Sequence, residues 1–204
     1  MVKTLKEQFY DSIRSLPDYV KQINDTGKDL SWFNRRINDK LIEVEEVTAP
    51  EVGKIYWFYY ELDNWKKYPF WDSMPLVIVT DVTSTTFTGI NIHYLPNQFR
   101  IPLFLTLLEQ KSNSKTLDKQ SKILVRPHEL SALPNFKMLT HQYKKANIGS
   151  GPYEVCGTSW GSAVALPLAD FKISNSKATK NIINWNQVIL QPNISIILNQ
   201  VKKK

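Results

Sequence analysis

The sequence has a single cysteine, Cys156, among its 204 residues. A lone cysteine cannot form an intramolecular disulfide, which excludes a disulfide-stapled secreted domain and indicates a reducing compartment. No neighbour in the sequence would activate this thiol, so we expect Cys156 to be a small buried hydrophobic residue. The chain also lacks an N-terminal signal region and an apolar run of about twenty residues, which predicts a soluble protein.

Recognised catalytic motifs are also missing from the sequence. It contains no Gly-rich phosphate loop, no serine nucleophile elbow and no kinase signature. The three histidines, His93, His128 and His141, do not stand in a zinc-binding spacing. We expect His93 to be a hydrogen-bonded structural residue within a strand.

Four carboxylates are the remaining candidates for catalysis: Glu61, Asp63, Asp72 and Asp81. A glycosidase uses a pair of such residues as its acid and base. They are predicted to lie in turns between strands, where a solvated or turn-forming role is the ordinary one. We expect Asp72 to bond nearby backbone amides and to fix the bend before the next strand. The sequence therefore predicts no enzyme activity, no cofactor and no bound metal.

The net charge of +7 is unevenly distributed along the chain. Residues 1–100 hold 12 Lys and Arg against 14 Asp and Glu, whereas residues 101–204 hold 14 against 5. The basic second half suits a polyanion such as nucleic acid, or an acidic protein surface. The alternative is that scattered lysines in polar loops only keep the surface soluble.

Apolar spacing predicts helices in several segments. Apolar side chains recur at steps of three and four over residues 3–24, which indicates one amphipathic helix or two short ones. Ser31 is a suitable cap for a second helix at about 31–42. Pro102 is predicted to begin a short helix that ends at about Glu109. A basic helix is predicted over 135–147, ended by the GSGP segment at 149–152.

Other segments have the pattern of strands. Runs rich in Ile, Val and aromatic residues predict strands at 54–61, 75–82 and 86–95, the second covered on both faces. A further strand is predicted at 160–168. These patterns predict an α+β, mainly β fold with an SH3-like or small-barrel core preceded by N-terminal helices. The predicted division is an N-terminal helical segment at 1–48, a β-rich core at 49–171, and a basic linker with an apolar tail at 172–204.

The six tryptophans exceed what a modest core needs. Aromatic residues are interleaved with lysines at 65–71, where the rings either stack on nucleic-acid bases, or fill the core or pack against a partner. The residues that we expect at partner interfaces are Trp32, Phe33, Trp65, Trp71, Trp185, Ile194 and Ile196.

A central block of the sequence resembles a known family. Its matching positions are Trp32, Phe33, Gly53, Tyr56, Phe58, Tyr60, Phe70, Asp72, Pro75, Leu76, Gly89, Asn91, His93, Tyr94, Leu95, Pro96 and Arg100. This order of residues resembles the tailed-phage virion proteins labelled DNA end protector in T4-like phages.

The resemblance implies a structural protein of a tailed-phage virion, in the head–tail or tail assembly, that binds or protects genomic DNA ends. Its partners would be other phage structural proteins and double-stranded DNA in a symmetric assembly, with no membrane contact. The implied location is the virion, after assembly in the host cytoplasm. Alternatives are a baseplate or tail-hub component without DNA contact, and a phage nuclease or cell-wall hydrolase. The lysines expected to contact DNA phosphates are Lys137, Lys144, Lys145, Lys202, Lys203 and Lys204.

Overall fold

The computed structural model describes residues 2–17, 41–64, 68, 70–95, 97–126, 129, 139–166, 169 and 171–173. Most of the predicted second helix at 31–42, and the predicted apolar tail, lie outside these residues. In chain order the elements are α1 (Leu5–Arg14), β1 (Val44–Glu46), β2 (Ile55–Tyr60), β3 (Phe70–Asp72), β4 (Leu76–Val82), β5 (Thr86–Asn91), α2 (Asn97–Lys111), β6 (Thr140–Lys144), β7 (Ile148–Val155), α3 (Trp160–Ala165) and β8 (Phe171–Ile173). The described part of the chain is therefore mainly β with a few helices, as predicted.

Six strands form one antiparallel sheet in the order β1-β7-β2-β4-β5-β6, and β3 pairs with β8 in a separate antiparallel ribbon. The large sheet is open, with β1 and β6 at its edges, and an SH3-like or small-barrel core is not confirmed. Strands β4 and β5 approach closely at Gly89, where a Cβ atom would lie 2.3 Å from Val77 Cγ1 and 2.5 Å from the Ile78 carbonyl oxygen. A glycine is required there because any side chain would overlap the neighbouring strand.

The large sheet is strongly bent. The Tyr60 ring on β2 lies 5.1 Å from the Tyr143 ring on β6, although β4 and β5 separate these strands in the sheet order. The Lys144 backbone N–H donates to the Tyr60 hydroxyl at 3.3 Å. The bend brings the ends of β2 and β6 together. They lie beside the β3–β8 ribbon, since the Tyr60 backbone N–H donates to the carbonyl of Ser73, the residue after β3, at 2.9 Å.

Both faces of the sheet are buried. On one face, Trp57 and Ile78 share a core with residues of all three described helices, including Phe9, Phe104 and Trp160. Phe9 stacks on Phe104 at 5.3 Å, and Phe104 meets Trp160 edge-on at 5.8 Å. The other face carries a smaller, aromatic core made of Tyr56, Phe58, Tyr60, Val77, Val79, Phe87 and Tyr143. Alternate residues of β2 point to opposite faces, so both cores need the run of aromatic residues in this strand.

Helix α1 confirms the predicted amphipathic N-terminal helix over Leu5–Arg14. Thr4 caps it: the Glu7 backbone N–H donates to the Thr4 hydroxyl, and the Glu7 carboxylate accepts from the Thr4 backbone. The helix packs on α3 at Gly161, where a Cβ atom would lie 2.2 Å from the Phe9 carbonyl oxygen. Helix α1 is therefore held in two ways: the Phe9 ring is buried in the core, and the Phe9 backbone lies against Gly161 of α3.

Several predicted elements differ from the structure. The predicted basic helix at 135–147 is wrong where it is described: residues 140–144 are strand β6 and residues 145–147 are one 3₁₀ turn. The GSGP segment at 149–152 does not end a helix but lies within β7. The predicted strand at 160–168 is wrong, because residues 160–165 form helix α3. Local spacing was outweighed in β6 by pairing with β5, which aligns Phe87 with Tyr143.

Two other predicted elements are present with different ends. The strand predicted at 86–95 ends at Asn91, and a 3₁₀ turn follows at Ile92–Tyr94. The helix predicted to begin at Pro102 begins at Asn97 and includes this proline. Its Leu103, Leu107 and Leu108 are buried, as expected of an inward face.

Candidate functional site

A buried polar cluster connects β3, β5 and the turn that follows β5. The Asp72 carboxylate accepts from Asn91 Nδ2 at 3.0 Å and lies 2.9 Å from His93 Nδ1. An ionised carboxylate can only accept hydrogen bonds, so His93 carries a proton on Nδ1 and donates it to Asp72. Each partner's side chain is 1% exposed. Together with Arg100, these residues are called the polar cluster below.

Three of the four members of the polar cluster also order local backbone. The other Asp72 oxygen accepts from the Met74 backbone N–H at 3.1 Å, which confirms the predicted role of Asp72 in fixing the bend before β4. Asn91 Oδ1 accepts from the His93 backbone N–H at 3.0 Å and so starts the 3₁₀ turn. Arg100 donates to the His93 and Leu95 carbonyls at 3.0 and 2.8 Å. The cluster is therefore a structural connection between strand, turn and helix α2.

The environment of Asp72 favours the charged carboxylate. Burial raises its pKa, but the attraction of His93 and the hydrogen bonds from His93, Asn91 and Met74 outweigh burial and lower the pKa below the usual value. His93 is buried and hydrogen-bonded, as predicted, although it lies in the 3₁₀ turn rather than within a strand. With 1% exposure on each side chain, this pair is shielded from solvent.

Beside the polar cluster lie two adjoining cavities, which we call the aromatic cleft. One has a volume of about 510 Å³ and is lined by residues that include Tyr60, Leu62, Trp71 and Lys172. The other, of about 430 Å³, shares Tyr60, Leu62 and Trp71 and extends to further aromatic residues, namely Tyr68, Phe70, Tyr94, His141 and Tyr143. Both volumes lie in the range of about 300–1,000 Å³ that is typical of small-ligand sites.

Strand pairing and ring packing hold the cleft walls in place. Trp71 lies on β3 opposite Lys172 of β8. The Tyr94 ring stacks on the His141 ring at 4.2 Å. Burial, and then the nearby charge of Asp72, raises the pKa of Tyr94. Burial likewise raises the pKa of Tyr60. These phenols therefore stay neutral at physiological pH and act as uncharged walls.

Charged residues of both signs stand near the cleft. Lys144 Nζ contacts Asp63 Oδ2 at 2.7 Å, with both side chains more than half exposed. The hydrogen bond from Lys144 lowers the pKa of Asp63, and the same contact raises the pKa of Lys144. Lys172 and Glu61 line the larger cavity. The rim therefore offers cations, but each has a carboxylate in the same region.

The structure describes some of the sequence-predicted site residues. Trp71 is half-buried in the cleft wall, and Lys144 lies beside the cleft. Lys145 donates to the Thr83 carbonyl at 2.6 Å. The other predicted phosphate contacts, Lys137 and Lys202–Lys204, lie outside the described residues. So do the interface candidates Trp32, Phe33, Trp65, Trp185, Ile194 and Ile196.

The carboxylates considered for catalysis are not gathered in the described structure. Glu61, Asp63 and Asp81 are exposed, whereas Asp72 is buried in the polar cluster. Within the described ranges, no group of three or more His, Cys, Asp or Glu side chains is arranged to hold a metal ion. Cys156 is buried, as predicted. His128 lies outside the described part of the chain.

The sequence did not indicate that the cleft existed. Tyr60, Tyr94 and His141 come from three separate elements, and only the bend of the sheet brings them to one site. The available signal was the block that resembles the phage family, since it includes Tyr60, Asp72 and Tyr94. No pattern in the sequence distinguishes these rings from ordinary core residues.

Fold and cleft together define a mainly β protein with helices on its core and an aromatic-lined cleft as its candidate binding site. The chain belongs to the family described as Phage T4 terminal DNA protecting protein, whose model matches residues 2–188. This match confirms the resemblance carried by the central block and identifies a phage protein. No curated protein and no solved structure matches the chain. Within the described residues, no helix combines the length and the apolar character that a membrane span needs.

Proposed function

We propose that this protein protects the ends of linear double-stranded phage DNA by binding them, and that it has no catalytic activity of its own. The observation that carries this proposal is the family match over residues 2–188, which covers nearly the whole chain. Protection by binding requires only that the bound protein blocks access to the terminal nucleotides. A stable frame with a binding surface is sufficient for that task, and the polar cluster and two cores supply such a frame.

The charge distribution supports DNA as the ligand. Residues 101–204 hold 14 Lys and Arg against 5 Asp and Glu, so the second half attracts a polyanion. Lys144 is engaged by Asp63, but this ion pair is exposed to solvent. A phosphate oxygen can replace an exposed carboxylate at little cost because water already screens the pair. We propose Lys137, Lys144, Lys145 and Lys202–Lys204 as phosphate contacts.

We further propose that the protein acts as a structural component of the tailed-phage virion, in the head–tail or tail assembly, where it contacts other phage proteins in a symmetric arrangement. Assembly in the host cytoplasm would place the protein on the DNA as the particle is completed. Trp71 and the remaining interface candidates, Trp32, Phe33, Trp65, Trp185, Ile194 and Ile196, are the proposed partner contacts. Large aromatic residues of this kind dominate protein interfaces.

An exonuclease protection assay tests the proposal. Linear duplex DNA is incubated with the protein and then with a double-strand exonuclease, while the same duplex with covalently closed hairpin ends serves as competitor. We expect the linear DNA to survive longer, and we expect open ends to compete better than closed ends. Because lysines neutralise phosphates, binding should weaken steeply as salt rises.

Unchanged digestion, with no preference for ends at low salt, would contradict the proposal and favour a baseplate or tail-hub component without DNA contact. A parallel incubation with Mg²⁺ but without exonuclease tests the remaining alternative. Degradation of DNA in that sample would indicate a nuclease.

A further inference from the structure

We propose that the aromatic cleft binds an unpaired nucleobase at the DNA end, so that the protein prefers ends with a short single-stranded extension. This inference rests on the proposed function. It adds the chemical form of the ligand and the residues that recognise it.

The shape of the cleft favours a single base over duplex DNA. The two cavities share Tyr60, Leu62 and Trp71, and their volumes of about 430 and 510 Å³ are those of small-ligand sites. A concave site of this size matches one base better than a base pair that is still stacked in a duplex. An unpaired base enters without the cost of unpairing, which is why damaged, mismatched or single-stranded bases are the easiest to accommodate in a pocket.

The lining of the cleft favours a planar aromatic ligand. Tyr68 is 49% exposed and lines the same cavity as Trp71 and Phe70. Every nucleobase has a face that stacks on such rings, so this contact is strong without selecting a sequence. A polar side chain at the same cavity, Gln142, offers hydrogen-bonding groups to the edge of a base.

The charges near the cleft favour a short nucleic-acid segment. Lys172 lines one cavity, and the Lys144 backbone N–H reaches the Tyr60 hydroxyl across the bend of the sheet. Both lysines can approach the phosphate of a bound nucleotide. Glu61 and Asp63 lie in the same region, which disfavours a long strand with many phosphates. A protein segment would also find apolar contacts here, but the lysines and the basic second half of the chain favour a nucleotide.

The full-length protein can be tested with synthetic duplexes that are either blunt or carry a three-nucleotide extension. A single base stack is worth about a 5- to 150-fold change in affinity. We therefore expect the extended duplex to bind about 5- to 150-fold more tightly than the blunt one. Replacing Tyr68→Ala should bring the ratio of extended-duplex affinity to blunt-duplex affinity close to one. Leu124→Ala is the matched control, because Leu124 is 47% exposed and does not line the cleft.

A second measurement locates the base directly. A photoreactive 5-iodouracil in the extension should crosslink to Tyr68, Trp71 or another ring of the cleft. Crosslinks outside the cleft, or equal binding of extended and blunt duplexes, would overturn the inference. In either case, retained protection of ends from exonuclease would leave the proposed function intact. If the unmodified protein binds neither extended nor blunt ends, the proposed function itself is contradicted. Thermal melting of Tyr68→Ala confirms that this variant folds.

Discussion

Replacement of Asp72 by asparagine tests whether the polar cluster holds the fold together. The change keeps the size of the side chain but removes its charge and converts one acceptor oxygen into an NH₂ donor. Asp72 accepts from Asn91 Nδ2 and faces His93 Nδ1 at 3.0 and 2.9 Å, and Met74 donates to its other oxygen. An amide in this position cannot accept from all three donors.

The burial of the pair sets the expected magnitude. Both side chains are 1% exposed, so water cannot replace the lost contacts. Removing a buried carboxylate that accepts three hydrogen bonds costs about 3–5 kcal/mol of the free energy of unfolding, because its donors are left without a charged acceptor. That is a large part of the total stability of an ordinary domain, about 5–15 kcal/mol. In a chain of this size, the melting temperature should fall by roughly 2–4 °C per kcal/mol, or about 6–20 °C in all.

Urea denaturation at pH 7, followed by circular dichroism and tryptophan fluorescence, measures this loss. Asp63→Asn is the matched control, because the Asp63–Lys144 pair has a similar contact distance, 2.7 Å, but lies in solvent. We expect the Asp63→Asn midpoint to match that of the unmodified protein. If Asp72→Asn also matches it, the argument that this cluster stabilises the fold is refuted.

The pH dependence of the same variant provides a second check. The folded-state pKa of Asp72 is lowered, so the unfolded chain binds more protons in the acidic range. The contribution of Asp72 is therefore fully present above its unfolded pKa, about 3.9, and is lost as the pH falls through the lower folded pKa. The stability difference between the unmodified protein and Asp72→Asn should thus narrow below about pH 4. A difference that widens with acid would contradict the sign of the pKa shift.

Three further substitutions test other parts of the fold. Gly89→Ala should destabilise the protein by at least about 1–3 kcal/mol, because its Cβ atom would overlap Val77 and the β4 backbone; a thermal melt measures this. Lys54→Met should cost about 3 kcal/mol by leaving Glu154 without its ion-pair partner, and Lys54→Met with Glu154→Gln should recover part of that loss in a double-mutant cycle. Thr4→Ala should lower the free energy of unfolding by about 1 kcal/mol, because it removes the cap of α1. We expect it to shift the urea midpoint less than Lys54→Met does.

Sequence patterns predicted much of the sheet, because a strand that is buried on both faces leaves a continuous run of apolar residues in the sequence. The runs at 55–60 and 76–80 consist of strand-forming residues, and nearly all of them are buried, as expected for strands covered on both faces. The spacing of apolar residues likewise predicted α1. The predictions at 140–144 and 160–165 were wrong because the local pattern there suits both a helix and a strand. Contacts with distant segments decided which of the two formed.

The sequence alone determined that the chain folds around apolar strands, that its second half is basic, and that its central block belongs with a phage family. Tertiary structure alone decided which residues meet. Asp72, Asn91, His93 and Arg100 are joined because strand pairing and one 3₁₀ turn bring their segments together. The aromatic cleft exists because the sheet bends until Tyr60 reaches Tyr143. A linear pattern records the polarity of each face, whereas curvature and long-range contact depend on the packing of all the elements at once.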